Sequence, residues 1–446
     1  MSTRIHTLRP KSIHHIVIVG GGAGGLELAT LLGDSLGKKQ QARITLIDQN
    51  RAHMWKPMLH EVAAGSLNQA HHQVDYMAQA HWHHFRFCQG SLCGLDRQRQ
   101  MIYLESNNDE DTTMPQRSTL HYDTLVIAVG SSTNDFNTPG VTDYAVRMDN
   151  VQQAERFNRK LLSAFMRAHN QQQPLKPGQL HIAIVGGGAT GVELAAELYY
   201  SIRSLIAYGL NQINPEKDVR LTIIESAPRL LAALPEEMSQ EAELTLEKLG
   251  INVLTNARVE AVKPVGVKLN SGKFIPAEIM VWAAGVRAPA FLKHLNGLET
   301  NHVNQLVVKS TLQTTRDPQI FAFGDCAAAP WLGQERGKTV PARAQVAHQQ
   351  ARFLAQQLIY HLQGKTLKSF HYSDHGSLVS LGKNRAIGGL NHLQEQKTVF
   401  VKGYFARLMY DGLYKKHQLG LHGFKRVAFD SLTQLFNRQA SYIRLS

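Results

Sequence analysis

The chain has 446 residues, of which 43% are hydrophobic and 19% charged. That is enough for two or three domains with sizeable cores, and too apolar for a disordered chain. The net charge is +13 at a pI near 9.6, yet no apolar run approaches the ~18 residues that span a bilayer, the N-terminus has no secretory apolar core, and no zinc-finger or RNA-recognition signature supports nucleic acid.

The first predicted element is a buried parallel strand, because residues 16–19 are all β-branched. It opens into IVIVGGGAGG (16–25), and the same unit returns as IAIVGGGATG (182–191), continuing as LELA against VELA. Each carries G-x-G-x-x-G, through Gly20, Gly22 and Gly25 and through Gly186, Gly188 and Gly191. The first glycine permits a tight turn, the second lets backbone approach a pyrophosphate, and the third allows close helix–strand packing. The pyrophosphate then rests on a helix N-terminus. Each unit continues to a second strand ending in an acid, ITLID with Asp48 and LTIIE with Glu225. An acid there binds ribose hydroxyls and disfavours a 2′-phosphate. Glu225 comes late, after extra residues around 208–217. The repeat therefore predicts an α/β fold with two Rossmann-like units, each taking a dinucleotide.

Between these landmarks lies FRFCQGSLCGL (85–95), a strand-like run with Cys88 and Cys93. The C-x4-C spacing admits a redox pair; two small apolar fillers are the alternative. With Cys326 the cysteine count is three, which fits a reducing compartment. LVIAVGSS (125–132), with Ala128 and Gly130, and MVWAAGVRA (280–288), with Ala284 and Gly285, are matched strand exits beside a cofactor. The Gln/Pro-rich stretch 169–179 reads as a surface loop. The strand IFAFG then ends at Asp325, which could also serve as a helix N-cap.

In KTVPARAQVAHQQA (338–351), Pro341 suits the first turn of a helix. Gln345 and Gln349 share one face of it; a polar stripe would look the same. The N-terminus of such a helix would present its positive dipole end to a group that gains negative charge. Toward the C-terminus, Phe405, Leu408, Met409 and Leu413 fall on one face, with Lys415 and Lys416 following. In 422–446, Phe424, Val427, Ala428, Leu432 and Leu435 do the same beside Lys425, Arg426 and Arg438. Basic amphipathic helices of this kind lie in a membrane interface, though a helical cap or dimer face would share the pattern. The run HWHH (81–84) lacks metal-ligand spacing, and no metal is expected.

These landmarks, in this order, resemble the flavoproteins that bind two dinucleotides. KPMLHEVAAGS (56–66), GSSTNDFNTPGV (130–141), GGGATGVELAAEL (186–198), VWAAGVRAP (281–289) and DHGSLVSLG (374–382) resemble the proteobacterial, non-proton-pumping type II NADH:quinone oxidoreductases. The resemblance implies non-covalent FAD on the first loop, with Asp325 at the flavin's ribityl chain, and NADH on the second. It implies FAD binding by residues 1–145 and 306–382, an inserted NADH domain at 146–305, and membrane association by 383–446. A-Q-x-A-x-Q, with Ala344, Gln345 and Gln349, resembles the family's quinone-site motif. Glu193 is implied near the nicotinamide and the quinone route, for positioning or proton supply; a dipole-favoured Glu on the first helical turn is the plain alternative. Lys56 is implied beside the flavin, where it would help hold negative charge. The implied acceptor is ubiquinone or menaquinone, and the implied location is peripheral, on the cytoplasmic face of the inner membrane. A homodimer is left open. Sulfide:quinone oxidoreductases share the frame but need flavin-flanking cysteines and do not use NADH.

Overall fold

The computed structural model describes residues 13–68, 72–105, 117–391 and 398–421. The chain divides into two compact units. The first comprises residues 1–53, 74–131 and 287–372, and the second 54–73, 132–286 and 373–446.

The first unit is built on a five-stranded parallel sheet ordered Ile320–Ala322, Thr124–Ile127, His14–Val19, Ala42–Asp48, Arg86–Gln89. Its centre is His14–Val19, whose residues from His15 onward are buried, as a strand covered on both faces requires. The order reverses at this strand, so the chain leaves its C-terminal end at a topological switch point, where α/β sheets place ligands. Helix Ala23–Leu32 follows, and a three-stranded antiparallel sheet (Ser91–Asp96, Met101–Glu105, Arg117–His121) lies between the third and fourth sheet strands in sequence.

The second unit repeats the plan. Its parallel sheet is ordered Ala145–Arg147, Ile279–Trp282, His181–Val185, Arg220–Ile224, Asn252–Leu254. An antiparallel three-stranded sheet (Val259–Lys263, Gly266–Leu269, Phe274–Pro276) again precedes the return strand. The repeat reaches single hydrogen bonds. His15 Nε2 pairs with Thr45 Oγ1 at 2.8 Å, and His181 Nε2 with Thr222 Oγ1 at 2.8 Å. In each case the histidine and threonine sit on neighbouring parallel strands, and burial lowers both imidazole pKa values.

The second helix, Ala189–Ala207, is longer than its counterpart, and with the turns that follow it accounts for the late arrival of Glu225. The core of this unit joins Phe157, Leu161 and Phe165 of helix Val151–Asn170 to the sheet residues Ile182, Ile184 and Ile223. It also takes in Leu59, Val62 and Ala63 of the short helix Leu59–Ala64, and Val379 and Leu381 from the C-terminal part. A helix over 404–421 ends the described chain. Among the described residues no helix is long and apolar enough to cross a membrane.

Candidate functional site

The two glycine loops have the same geometry. Gly20 and Gly186 take φ of +102° and +112°, which side chains rarely adopt. A Cβ on either would press on the strand exit opposite, at Ala128–Val129 and at Ala283–Ala284. A Cβ on Gly25 would overlap the Gly20 carbonyl oxygen, and one on Gly191 the Gly186 carbonyl oxygen. These positions bring helix and strand together backbone to backbone. Gly22 and Gly188 differ: a Cβ there would meet nothing within 4 Å. Both are N-caps with no side-chain hydrogen bond. Each loop thus presents uncapped helix N–H groups behind an open glycine, a cradle that fits a pyrophosphate and that a side chain would fill.

The acids lock onto these loops. Asp48 Oδ2 accepts from Gly21 N at 2.7 Å, and Glu225 Oε2 from Gly187 N at 2.6 Å. The second oxygen accepts from the backbone two residues on, Asn50 N at 2.8 Å and Ala227 N at 2.7 Å. Glu225 therefore stands where Asp48 stands despite the extra residues. Burial raises the Asp48 pKa against the pull of these hydrogen bonds. The strand exits match as well: Ala128 N donates to Val19 O and Ala283 N to Val185 O, each at 2.8 Å. Ala284 follows directly, and Gly130 and Gly285 both have positive φ. Gly130 faces open space, whereas Gly285 is packed against Phe136.

Asp325 sits in a short 3-10 turn, Gly324–Cys326. It is fixed by Ser131 Oγ at 2.7 Å and, through its carbonyl, by Gln305 Nε2 at 3.0 Å. Gly324 N donates to Gln350 Oε1 at 2.8 Å, and Gln350 is fully buried. Asp325 is thus held by other residues and is not the N-cap of a long helix. The helix predicted from Pro341 instead runs Ala344–Leu362 with Arg343 as N-cap, so Pro341 lies before it. The segment ahead is still extended, with Val340 N bonded to Ala329 O. Gln345 and Gln349 are half-buried near the N-terminal end of this helix. Its Ala347 packs on Gly24 of the first loop helix, where a Cβ would press on Phe323 and Ala347. Glu27, buried on that same loop helix, is clamped by His348 and by Arg352 Nε at 2.6 Å.

Glu193 lies beyond the first turn of helix Ala189–Ala207, and that turn holds no acid, so the helix dipole is not the main environment of Glu193. It is buried, and Ser380 N donates to its Oε1 at 3.0 Å. Burial pushes its pKa up to about 8. His60 Nδ1 lies 3.7 Å from Glu193 Oε2, and His60 Nε2 lies 3.9 Å from Glu61 Oε1. Burial, with a further push from Glu197, raises Glu61 to about 7. Arg407 stands 3.7 Å from Glu61 and donates to Ser380 Oγ at 2.8 Å. The buried Tyr410 phenol faces Glu193 without a hydrogen bond of good geometry. Lys56 opens a short 3-10 turn, with its ammonium 4.0 Å from Asp149 Oδ1.

The cysteines fall outside this machinery. Cys88 and Cys93 are free thiols on strands of different sheets, and burial raises both pKa values. Cys326 is buried and pushed up to about 12, a thiol with no thiolate character.

Residues 14–351 match the family model described as pyridine nucleotide-disulphide oxidoreductase. Type II NADH:quinone oxidoreductase of Haemophilus influenzae is 42% identical over 437 residues, covering 95% of this chain and 98% of that protein. This chain belongs to the type II NADH:quinone oxidoreductases. The Staphylococcus aureus (strain NCTC 8325 / PS 47) protein of the same name is 29% identical over 84% of this chain and 89% of its own length. NDH2 of Plasmodium falciparum, solved in complex with NADH, shares the fold with a TM-score of 0.78 at 20% identity, over 92% of this chain and 97% of that one. The sulfide:quinone oxidoreductase of Aquifex aeolicus also shares it, at 0.71 and 18%, over 92% of each.

Within this type II enzyme, three groups escaped sequence reasoning. Gln350 adjoins the predicted Gln349 but turns to the opposite, buried side. Glu61 and His60 lie inside the quoted KPMLHEVAAGS, yet no spacing relates them to Glu193. Arg407 lies in the amphipathic segment with Phe405 and Leu408, and nothing in its spacing relates it to Glu61 or Ser380.

Proposed function

We propose that the chain oxidises NADH and reduces a membrane quinone by two electrons, without pumping protons. The carrying observation is the pair of glycine loops, each with an open second glycine at an uncapped helix N-terminus and an acid tied to its backbone. When bound, FAD would supply the redox chemistry between NADH and quinone, which no side chain here provides. The loop at Gly20 would cradle FAD, with Asp48 serving the ribose and Asp325, Ala128 and Gly130 serving the rest of the cofactor. The loop at Gly186, with Glu225, Ala284 and Gly285, takes NADH.

The clamp from Glu27 to His348 and Arg352 supports the reading of helix Ala344–Leu362 as a rigid platform for the acceptor. Gln345 and Gln349 on it would orient quinone, since an amide can donate to or accept from a carbonyl becoming a hydroxyl. Glu193 holds a proton at neutral pH and can supply it. Lys56 would offset negative charge on reduced flavin. The exposed side chains of Tyr404, Phe405, Leu408, Met409 and Leu413 support docking on the cytoplasmic face of the membrane. The second amphipathic segment, 422–446, lies outside the described residues.

The test is steady-state turnover of the purified yellow protein with a soluble quinone and either NADH or NADPH. Fast NADH-driven quinone reduction and poor use of NADPH are expected. A flavin-loaded preparation that leaves quinone oxidised overturns the reading.

A further inference from the structure

The net reaction takes up one proton from the medium for each quinone reduced by NADH. Glu193 is buried, its side chain only 9% exposed, so little of its carboxyl is open to direct exchange with water. Its surroundings hold a specific arrangement. The His60 ring, itself buried, stands between two carboxyls, with Nδ1 toward Glu193 at 3.7 Å and Nε2 toward Glu61 at 3.9 Å. Nε2 has no hydrogen-bond partner.

We propose that His60 is a proton relay that carries a proton from Glu61 to Glu193 and so reloads Glu193 in every turnover. The inference rests on the reading of Glu193 as proton supplier.

The chemistry suits an imidazole. Burial holds His60 down at about 4, so the ring is neutral at physiological pH. A neutral imidazole carries one N–H and one lone pair, and can accept at one nitrogen while giving from the other. The proton leaves the Glu61 carboxyl for His60 Nε2, and the Nδ1 proton passes to the Glu193 carboxylate; the ring is left as its Nε2–H tautomer, and a ring flip or tautomer exchange returns it to Nδ1–H before the next turnover. Charge is conserved at each step, because Glu61 ends as the anion and Glu193 as the acid. The gaps exceed hydrogen-bond length and close by rotation of either carboxyl, as such contacts commonly tighten during turnover.

The groups facing this path are few and nameable. Glu193 and Glu197 come from helix Ala189–Ala207, and Ser380 N comes from the strand Ser377–Ser380. The Pro57 carbonyl faces the His60 ring. Arg407, Tyr410 and Asp411 come from the helix over 404–421. Glu61 and Glu193 both face the one guanidinium of Arg407, and Glu197 adds negative charge beside Glu61, so a proton held between Glu61 and Glu193 is favoured. Arg407 Nε also bonds Asp411 Oδ1 at 3.0 Å, and the Asp411 side chain is 51% exposed. Glu61 is the slightly more open end of the relay, its side chain 12% exposed against 9% for Glu193 and 2% for His60.

The experiment is anaerobic stopped-flow on the FAD-loaded enzyme, following flavin reduction by NADH and reoxidation by a soluble quinone separately. It is run across pH, in H2O and D2O, on Glu61→Gln and His60→Ala. Relay by His60 predicts that reoxidation slows relative to reduction by roughly 10²-fold, the lower end for a positioned proton donor. It also predicts a larger solvent isotope effect, and recovery of His60→Ala by added imidazole. Wild-type reoxidation with a wild-type pH profile in both variants overturns it. So does equal slowing of both half-reactions in the isosteric Glu61→Gln, which marks a merely structural role. If the wild-type protein itself fails to reoxidise with quinone, the broader reading fails instead.

Discussion

Arg352 Nε lies 2.6 Å from Glu27 Oε1, and with His348 on the other oxygen this bond fastens helix Ala344–Leu362 to the helix of the first glycine loop. Burial alone would raise the Glu27 pKa, but the hydrogen bonds and charges of His348 and Arg352 outweigh it and the net shift is downward. A carboxyl held low contributes stability above its unfolded pKa and loses it as pH falls through the folded value. Glu27→Ala is therefore expected to cost ~3 kcal/mol at pH 7, the lower end for breaking a buried pair, because Arg352 can turn to water. Thermal unfolding across pH checks this: the gap between wild type and variant should shrink in acid. An unchanged gap down to the acid limit would count against the clamp.

The glycines separate folding from binding. Gly25→Ala must push helix from strand, since the new Cβ overlaps the Gly20 carbonyl oxygen, and the same holds for Gly191→Ala. These variants should lose stability. Gly22→Ala and Gly188→Ala meet no protein atom within 4 Å, but alanine is a poorer N-cap than glycine, so apoprotein stability should fall by no more than ~1 kcal/mol. Their methyl groups intrude on the cradle. Gly22→Ala should lower FAD content far more than that small loss of apoprotein stability explains. Gly188→Ala should keep its flavin and raise KM for NADH about tenfold, equivalent to ~1.4 kcal/mol of lost binding. Flavin absorbance per chain and NADH titration distinguish the two.

The loops were legible because their requirement is local. A turn, an approaching anion and a close helix each need a glycine at a fixed step. Glu225 ends its strand and bonds its loop as Asp48 does, because the insertion falls in the helix and the following turns, outside the strand that carries it. The cluster around Glu193 was not legible. His60, Glu61, Ser380 and Arg407 arrive from three separate segments, and only tertiary packing gathers them. Pro341 misled by a few residues because proline fits both a helix start and the extended approach to one.

The raised carboxyls leave a mark on stability. Glu61 and Glu193 titrate near 7 and 8, against 4.5 for an unburied glutamate. The folded state therefore binds more protons than the unfolded state through this window, and stability falls as pH rises from about 4.5 to 8. The slope is about 1.4 kcal/mol per pH unit for each group fully inside the window. Glu193→Gln removes one of these contributions. Its stability, measured by denaturant unfolding, should decline less steeply with pH, and it should exceed wild type at pH 9 if the Ser380 N hydrogen bond is kept. A parallel pH profile would mean that Glu193 is ionised throughout.

The helix over 404–421 points its apolar residues outward. Phe405 is 77% exposed and Tyr404 64%, while Ala406, Tyr410 and His417 of the same helix are buried. Such a face costs solvation in water, and a membrane interface would cover it. Lys415 and Lys416 follow the apolar stripe, suited to anionic headgroups. Phe405→Ser and Leu408→Ser should each weaken binding to anionic vesicles by ~1 kcal/mol, about fivefold, since each side chain is only partly immersed. Lys415→Gln and Lys416→Gln should act by a similar amount at low salt and by much less at high salt, where screening removes their contribution. Turnover with a soluble quinone should survive all four substitutions, because none touches the glycine loops or the Glu193 cluster. Vesicle co-sedimentation that ignores Phe405→Ser and Leu408→Ser together would move the docking surface elsewhere.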